Sequence, residues 1–284
     1  MFPNLVSPEQ EYLLSDEEQC ELLRDHFSCV YQMLIENKFI HEASHQSAHG
    51  VHRWLSGVPH PLLNVVIGTP DDSTSIDKCI KEQLEHFHHV KMPFTWFLEE
   101  SSHLPFGDKL IKHHFQDIGV FRGMIARLEQ SYPSMKLPRD CVLELVTDKS
   151  AMDEFNDLVC ETFHFENESK DRFAIAMWNA VKMDRFKMFH WIIRKEGKVV
   201  STLSTLVQGN VVSFWNGASV PESRRRGFCT ALAHFALQHA VSMGCKFAAT
   251  YLMSDAMALG IASHLNFTPK WLTHVFIAPV EKKT

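Results

Sequence analysis

The sequence predicts an α/β fold with a mixed (α+β) sheet, built as two similar halves that meet near residue 138. Three observations carry this. Helix-period and strand-length apolar runs alternate along the chain; a strand, helix, strand, helix, strand order in the first half recurs in the second; and Pro133 and Pro138 interrupt the apolar pattern in SYPSMKLPRD between them. At 284 residues and 45% apolar content, the chain can fill two cores of ordinary size. The halves are therefore taken as residues 1–138 and 139–284.

In the first half the amphipathic run DEEQCELLRDHFSCVYQMLIEN reads as a helix with an acidic start. LLNVVIG then reads as a strand, SIDKCIKEQLEHFHHV as a helix, FTWFLE as a strand, GDKLIKHHF as a helix and VFRGMIARLE as a last strand.

In the second half CVLELV is a strand, SAMDEFNDLVCETF a helix capped by Ser150, and KDRFAIAMWNAVKM a second helix. KMFHWIIRK, KVVSTLSTLVQ and VVSFWNGASV follow as strands, with Gly197 and Gly209-Asn210 supplying turns, so they form an antiparallel meander. From Gly227 to Met243, the residues Leu232, Phe235, Ala236, Val241 and Met243 mark a helical face. KFAATYLM is then a strand, DAMALGIASHLNF a helix and WLTHVFIA the last strand.

Charge divides unevenly between the halves. The first 138 residues hold 11 Lys and Arg against 19 Asp and Glu, and the remainder hold 17 against 15. An anionic ligand belongs to the second half, and the first would repel nucleic acid and anionic membranes. Seven cysteines without a C-x-x-C pair read as reduced thiols in a cytoplasmic setting. The opening residues show no basic and apolar leader, and no apolar run approaches the roughly 18 residues of a membrane span, so neither an export signal nor a span is expected.

The stretch NGASVPESRRRGFCTALAHFALQHA, residues 216–240, sets Arg224, Arg225 and Arg226 between a strand and an apolar helix, with Gly227 where the helix opens. A helix N-terminus offers free backbone N–H groups at the positive end of its dipole. Glycine lets a phosphate approach, small residues at Cys229 and Thr230 keep the first turn open, and arginines add charge-assisted hydrogen bonds. A solvated basic run is the competing reading of RRR alone.

Pro221-Glu222-x-Arg224-x-x-Gly227-x-Cys229 resembles the Arg/Gln-x-x-Gly-x-Gly/Ala loop of the GNAT acetyltransferases, and the element order of residues 139–280 is similar to that whole fold. The resemblance implies two tandem GNAT folds, the N-terminal one degenerate, and acetyl-CoA as cosubstrate without a metal. It further implies that Arg224, Arg225, Arg226, Gly227, Phe228, Cys229 and Thr230 hold the pyrophosphate. Cys229 departs from the family's Gly or Ala. By the same resemblance, Gly217, Ala218 and Ser219 lie at the splayed end of the fourth strand, beside the pantetheine arm, and Ser254 or Asp255 takes the Asn position of the family's next cofactor segment. Asn266 and Phe267 stand at its Gly-Phe.

The acid and base stay open. Ala262 falls where many members carry the tyrosine that protonates the leaving thiolate, which leaves Ser254, Ser263, His264 or water. Tyr251, Glu166 and Glu222 are the candidate bases, Glu222 reading as a turn residue. The expected function is transfer of an acetyl group to an amine, a protein lysine or N-terminus. A small-molecule amine acetyltransferase and a non-catalytic CoA-binding interaction module are the alternatives. SGVPHPLLNVV and MPFTWFLEESS resemble the degenerate first half of tandem GNAT proteins, including secreted effector acetyltransferases of the VipF type, which implies a docking role for that half and a host protein as acceptor should the chain be secreted without a signal peptide. In GTPDDSTSI, Asp71 and Asp72 stand where a phosphate loop needs arginine and glycine, so the first half is expected to have lost CoA binding. HEASH, with His41, Glu42 and His45, matches the zincin pattern, and His49 and His52 would continue its helical face. Val51 stands where an extended pattern needs histidine, and no functional zinc site is expected.

Overall fold

The structure is a computed structural model that describes residues 14–36, 43–71, 75–100, 103–129, 131–132, 135–253, 255, 257, 260 and 264–279. Helix α1 (Asp16–Glu36) leads into the hairpin β1 (Ser44–Ala48) and β2 (Val51–Leu55). There follow β3 (Asn64–Gly68), α2 (Ile76–His89), β4 (Thr95–Glu99), α3 (His103–Lys112) and β5 (Gln116–Arg127). The second half runs β6 (Cys141–Leu145), α4 (Lys149–Thr162), α5 (Asn167–Ala180), β7 (Lys187–Lys195), β8 (Lys198–Gln208), β9 (Val211–Ser219), α6 (Phe228–Ser242), β10 (Phe247–Leu252) and β11 (Thr268–Ile277).

The described strands form a single eleven-stranded sheet in the order β1-β2-β3-β4-β11-β5-β10-β9-β8-β7-β6. The two halves exchange strands. β11, the last strand of the second half, lies antiparallel between β4 and β5 of the first, and β5 lies antiparallel to β10 of the second. The pair β3–β4 in the first half and the pair β9–β10 in the second are both parallel, and each encloses one helix, α2 and α6 respectively. The loop containing Asp71 is thus the topological counterpart of the arginine loop.

One face of the sheet packs α1, α4 and α5, through Leu23, Phe27, Phe155 and Phe173, over Met188, Ile192 and Trp271. The opposite face carries α6 over Trp191, Val212, Phe214 and Ala248, and a third cluster seats α2 and α3 through Ile80, Phe87, Trp96 and Phe106. Most of these positions alternate along their strands or recur at helical spacing, which is why the element order was legible.

Three local expectations are corrected. α4 begins one residue earlier than expected, and its cap is Asp148, whose carboxylate accepts from the Ala151 N–H at 3.0 Å, so Ser150 sits inside the first turn. The segment read as a possible helical histidine face is a hairpin: His45 lies on β1, His52 pairs with Ser47 on β2, and His49 is in the left-handed turn at φ 54. Three histidines on adjacent strands and a turn do not present the one-turn spacing a helical zinc motif requires. His41 and Glu42 lie outside the described residues, as do Asp72 and Pro133. Finally, helix α3 starts at His103, four residues before the expected Gly107.

Candidate acyl-CoA site

β9 and β10 pair in parallel from Val211↔Phe247 to Phe214↔Thr250, and the ladder stops there. Beyond it, β9 continues through Trp215, Asn216, Gly217, Ala218 and Ser219, with β8 as its neighbour. The register with β8 shifts between Thr202↔Ala218 and Ser204↔Trp215, so Asn216 and Gly217 together face Leu203. This is a β-bulge. Asn216 takes the left-handed conformation, φ 52. The Thr202 hydroxyl donates to the Asn216 carbonyl at 3.0 Å, which turns that carbonyl toward β8. In a trans peptide the following N–H points the opposite way, so the Gly217 N–H is turned away from the Thr202 hydroxyl, in the part of β9 that no longer pairs with β10.

The other predicted strand residues close the bulge on the β8 side. The Ser201 hydroxyl donates to the Ala218 carbonyl at 3.0 Å and lies 2.8 Å from the Ser219 hydroxyl. Ala218 is buried, while Gly217 and Ser219 are partly open.

The phosphate loop follows directly. Residues 221–223 form one 3₁₀ turn, Ser223 is buried beneath it, and Arg224, Arg225 and Arg226 all stand exposed. Arg224 Nε donates to the Ser219 carbonyl at 3.2 Å, and Arg225 is left-handed at φ 59. Gly227 caps α6 at φ 78, and a Cβ built there would meet nothing within 4 Å. The first hydrogen bond of the helix is Ala231 N–H to the Gly227 carbonyl, 2.9 Å, with no side-chain cap, so the N–H groups of Phe228, Cys229 and Thr230 precede the helical ladder. Phe228 is buried as the anchor of α6, and Cys229 is exposed. Open space at Gly227, three exposed guanidinium groups and an uncapped helix end fit a pyrophosphate, and the part of β9 beyond the ladder with β10 fits the extended arm that would follow it.

The remaining predicted residues are scattered. Tyr251, the next residue of β10 after the ladder ends, is buried, and its hydroxyl donates to the Leu23 carbonyl of α1 at 2.8 Å. Its ring stacks on Trp215 at 5.0 Å and packs against Phe27 at 5.1 Å. Burial drives its ionisation well above the ordinary tyrosine range. A phenol so committed is part of the core and is not open to an acceptor. Glu166 is exposed at the start of α5 and makes no side-chain cap. Asp255 pairs with Arg122 of β5 at 2.7 Å. Ser254, Ala262 and Ser263 lie outside the described residues. His264 is exposed, near enough to His234 of α6 to lower that histidine's pKa after the larger effect of burial. Asn266 is left-handed at φ 56, the conformation for which the resemblance has glycine, and Phe267 is fully buried.

Sequence reading missed Asn216, the residue that bends the strand, and Arg122, which reaches the site only because β5 is a neighbour of β10. The Asn-Gly pair inside an otherwise apolar strand was the available signal for the bulge. It missed also how the first half grips α5 and the loop before it: Arg172 donates to the Gly57 carbonyl at 2.6 Å, Ser169 to the Pro59 carbonyl at 2.7 Å, and the His60 ring stacks on Phe165 at 4.1 Å.

Residues 152–265 match the model of the acetyltransferase (GNAT) family. No curated protein matches the sequence. Among solved structures, a GCN5-related N-acetyltransferase from Kribbella flavida superposes with a TM-score of 0.65 at 14% identity, over 90% of this chain and 95% of that one. A GCN5-related N-acetyltransferase from Sphaerobacter thermophilus gives 0.62 at 11% identity over 83% and 78%, and a tandem GNAT protein from the clavulanic acid biosynthesis pathway gives 0.54 at 12% over 82% and 79%. At such identities the likeness is one of fold. Residues 152–265 thus match an acetyltransferase (GNAT) domain, and the whole chain has the fold of GNAT proteins, a tandem one among them.

Proposed function

We propose that the chain transfers the acetyl group of acetyl-CoA to an amine, and that the amine belongs to a protein, a lysine or an N-terminus. The observation that carries this reading is the end of the β9–β10 ladder at Phe214 and Thr250, with the bulge at Asn216 and Gly217 just past it and the arginine loop one turn beyond. Acetyl-CoA supplies the activated thioester. Gly227, the α6 N–H groups and Arg224–Arg226 would hold its pyrophosphate, and the Gly217 N–H would donate to the thioester oxygen as charge develops there. Attack by the neutral amine forms the C–N bond and expels the CoA sulfur. The sulfur takes a proton from Ser254, Ser263, His264 or water, and with Tyr251 buried the proton that leaves the amine nitrogen goes to Glu166, Glu222 or water.

The protein-acceptor reading draws on the acidic first half, whose field suits a lysine-bearing surface, and on its firm hold on α5. A small polar amine is the second reading, favoured by a cavity of about 240 Å³ at the junction of the halves, lined by Asp25, Gln32, Trp54, Arg185, Phe186 and Gln208. Steering by an acidic surface weakens as salt screens it over about 10 Å at 0.1 M, so a protein acceptor should react more slowly as salt rises and a small amine much less so.

Two measurements test the proposal. Mass spectrometry of peptide, protein and small-amine pools after incubation with acetyl-CoA should find acetylation that depends on the arginine loop. Calorimetry should find one acetyl-CoA per chain, because Asp71 occupies the first half's equivalent loop and is tied there, its N–H donating to the His49 carbonyl at 2.9 Å. Two sites of similar affinity would overturn the assignment of the first half, and no acetyl-CoA binding at all would overturn the function.

A further inference from the structure

The bulge that aims the Gly217 N–H is held by a line of buried polar groups that runs back through the sheet beneath α4 and α5. The Asn216 side-chain amide donates to the Ser204 hydroxyl at 3.0 Å, and that hydroxyl lies 2.8 Å from Nδ1 of His190. His190 on β7 and Ser204 on β8 are both fully buried, the imidazole packed against the Phe155 ring at 4.7 Å. The amide also reaches the Met177 sulfur at 3.6 Å. The Ser204 oxygen accepts from the Asn216 amide, and the Ser204 hydroxyl and His190 Nδ1 share the next hydrogen bond.

We infer that His190, Ser204 and Asn216 act as a positioning relay for acyl transfer, fixing the left-handed bulge of β9 so that the Gly217 N–H stays aimed at the thioester oxygen. The inference rests on the acyl-transfer reading above and goes beyond it by assigning the residues that set the geometry of its donor. Three arguments support it. Left-handed asparagine in mid-strand is a strained arrangement that persists only where its surroundings hold it. The hold here comes from both sides, from Ser204 on the side chain and from Thr202 on the carbonyl. Buried polar groups also cost stability relative to apolar residues of the same shape, and here the cost includes a His190 Nε2 buried without a hydrogen-bond partner, so a line of them kept under a strand bend is a device for orientation. Burial keeps His190 neutral, its pKa pushed down to about 4 against opposition from the Met177 backbone, so the ring bonds Ser204 through Nδ1 without bringing a charge beneath the strand.

The test uses the full chain and four variants. Asn216→Gly keeps a residue at ease at positive φ and removes only the anchor, while Ser204→Ala breaks the middle link. His190→Leu breaks the far end, and His190→Asn restores a hydrogen-bonding group near the position of Nδ1. A donor displaced by a fraction of an ångström should lower kcat by about tenfold or more in the three breaking variants, with acetyl-CoA affinity within about twofold of wild type. His190→Asn should recover most of that loss. The double variant Asn216→Gly, Ser204→Ala should be no worse than either single change, as expected for parts of one unit. The amide resonance of Gly217 should shift in Ser204→Ala, a readout that needs no turnover. Should the wild-type chain bind acetyl-CoA and acetylate nothing, the acyl-transfer reading fails by itself and the Gly217 resonance alone decides the relay. An unshifted Gly217 amide, or kcat within about threefold of wild type in both Asn216→Gly and Ser204→Ala, overturns it.

Discussion

Arg122 and Asp255 form an ion pair of 2.7 Å between the last strand of the first half and the exit of β10 in the second. It exists because β5 pairs with β10 through Leu252↔Arg122, while β11 crosses in the other direction to lie between β4 and β5. The first half is therefore a structural neighbour of the candidate acyl-CoA site, and the docking role proposed for it has to be compatible with that.

The exchange predicts that residues 139–284 do not fold alone. Without β4 and β5, the described pairings of β11 are gone and β10 keeps only β9. Expressed by itself the fragment should be insoluble or molten, and coexpression with residues 1–138 should recover soluble, acetyl-CoA-binding material. A folded and active 139–284 fragment would show that the exchange is dispensable. Breaking the ion pair alone, by Arg122→Met, should change stability by less than about 1 kcal/mol because Asp255 is largely exposed.

Gly227→Val should abolish acetyl-CoA binding in calorimetry while the fold survives. Valine at φ 78 costs about 1–2 kcal/mol of strain, and its branched side chain occupies the open space over the α6 N-terminus. Gly227→Ala should fall between the two. Unchanged affinity in the valine variant rules out this loop as the pyrophosphate site.

Stability should fall on mild acidification. His26 and His190 are both held neutral by burial, with pKa values near 4 against 6.5 for a histidine in water. Unfolding below pH 6.5 lets each take up a proton that the folded state refuses until about pH 4. The stabilisation is thus complete above pH 7, falls through the window from 6.5 to 4, and amounts to about 3 kcal/mol for each histidine. His60, His86, His234 and His239 are shifted in the same direction. Urea denaturation at pH 7.5, 5.5 and 4.5 should show the loss, and His26→Leu should flatten the slope by up to one proton. A pH-independent midpoint across this range contradicts the assignment.

Tyr251→Phe should leave kcat within about twofold of wild type and lower stability by about 1 kcal/mol, the ordinary value of one buried hydroxyl hydrogen bond. A large loss of kcat with acetyl-CoA affinity intact would restore Tyr251 as a participant in the chemistry.

Much of this molecule is written locally. The meander β7–β8–β9 follows from three strand-length apolar runs and from turn glycines that take the left-handed conformation glycine allows, Gly197 at φ 81 and Gly209 at φ 59. The cofactor loop follows from arginines and a glycine between a strand and a helix, because dipole, free N–H groups and glycine's freedom are properties of the segment itself. β1 was invisible, since all five of its residues are exposed and carry no alternation to read. The exchanged strands, the Arg122–Asp255 pair, the burial of Tyr251 beneath α1 and the relay from His190 to Asn216 were decided only in three dimensions. Each joins residues from 12 to 228 positions apart, Ser204 and Asn216 at the near end and Leu23 and Tyr251 at the far one. Local propensity and periodicity act over one turn or one strand, whereas neighbours in a sheet are chosen by which edges and apolar faces remain to be covered once every element has formed.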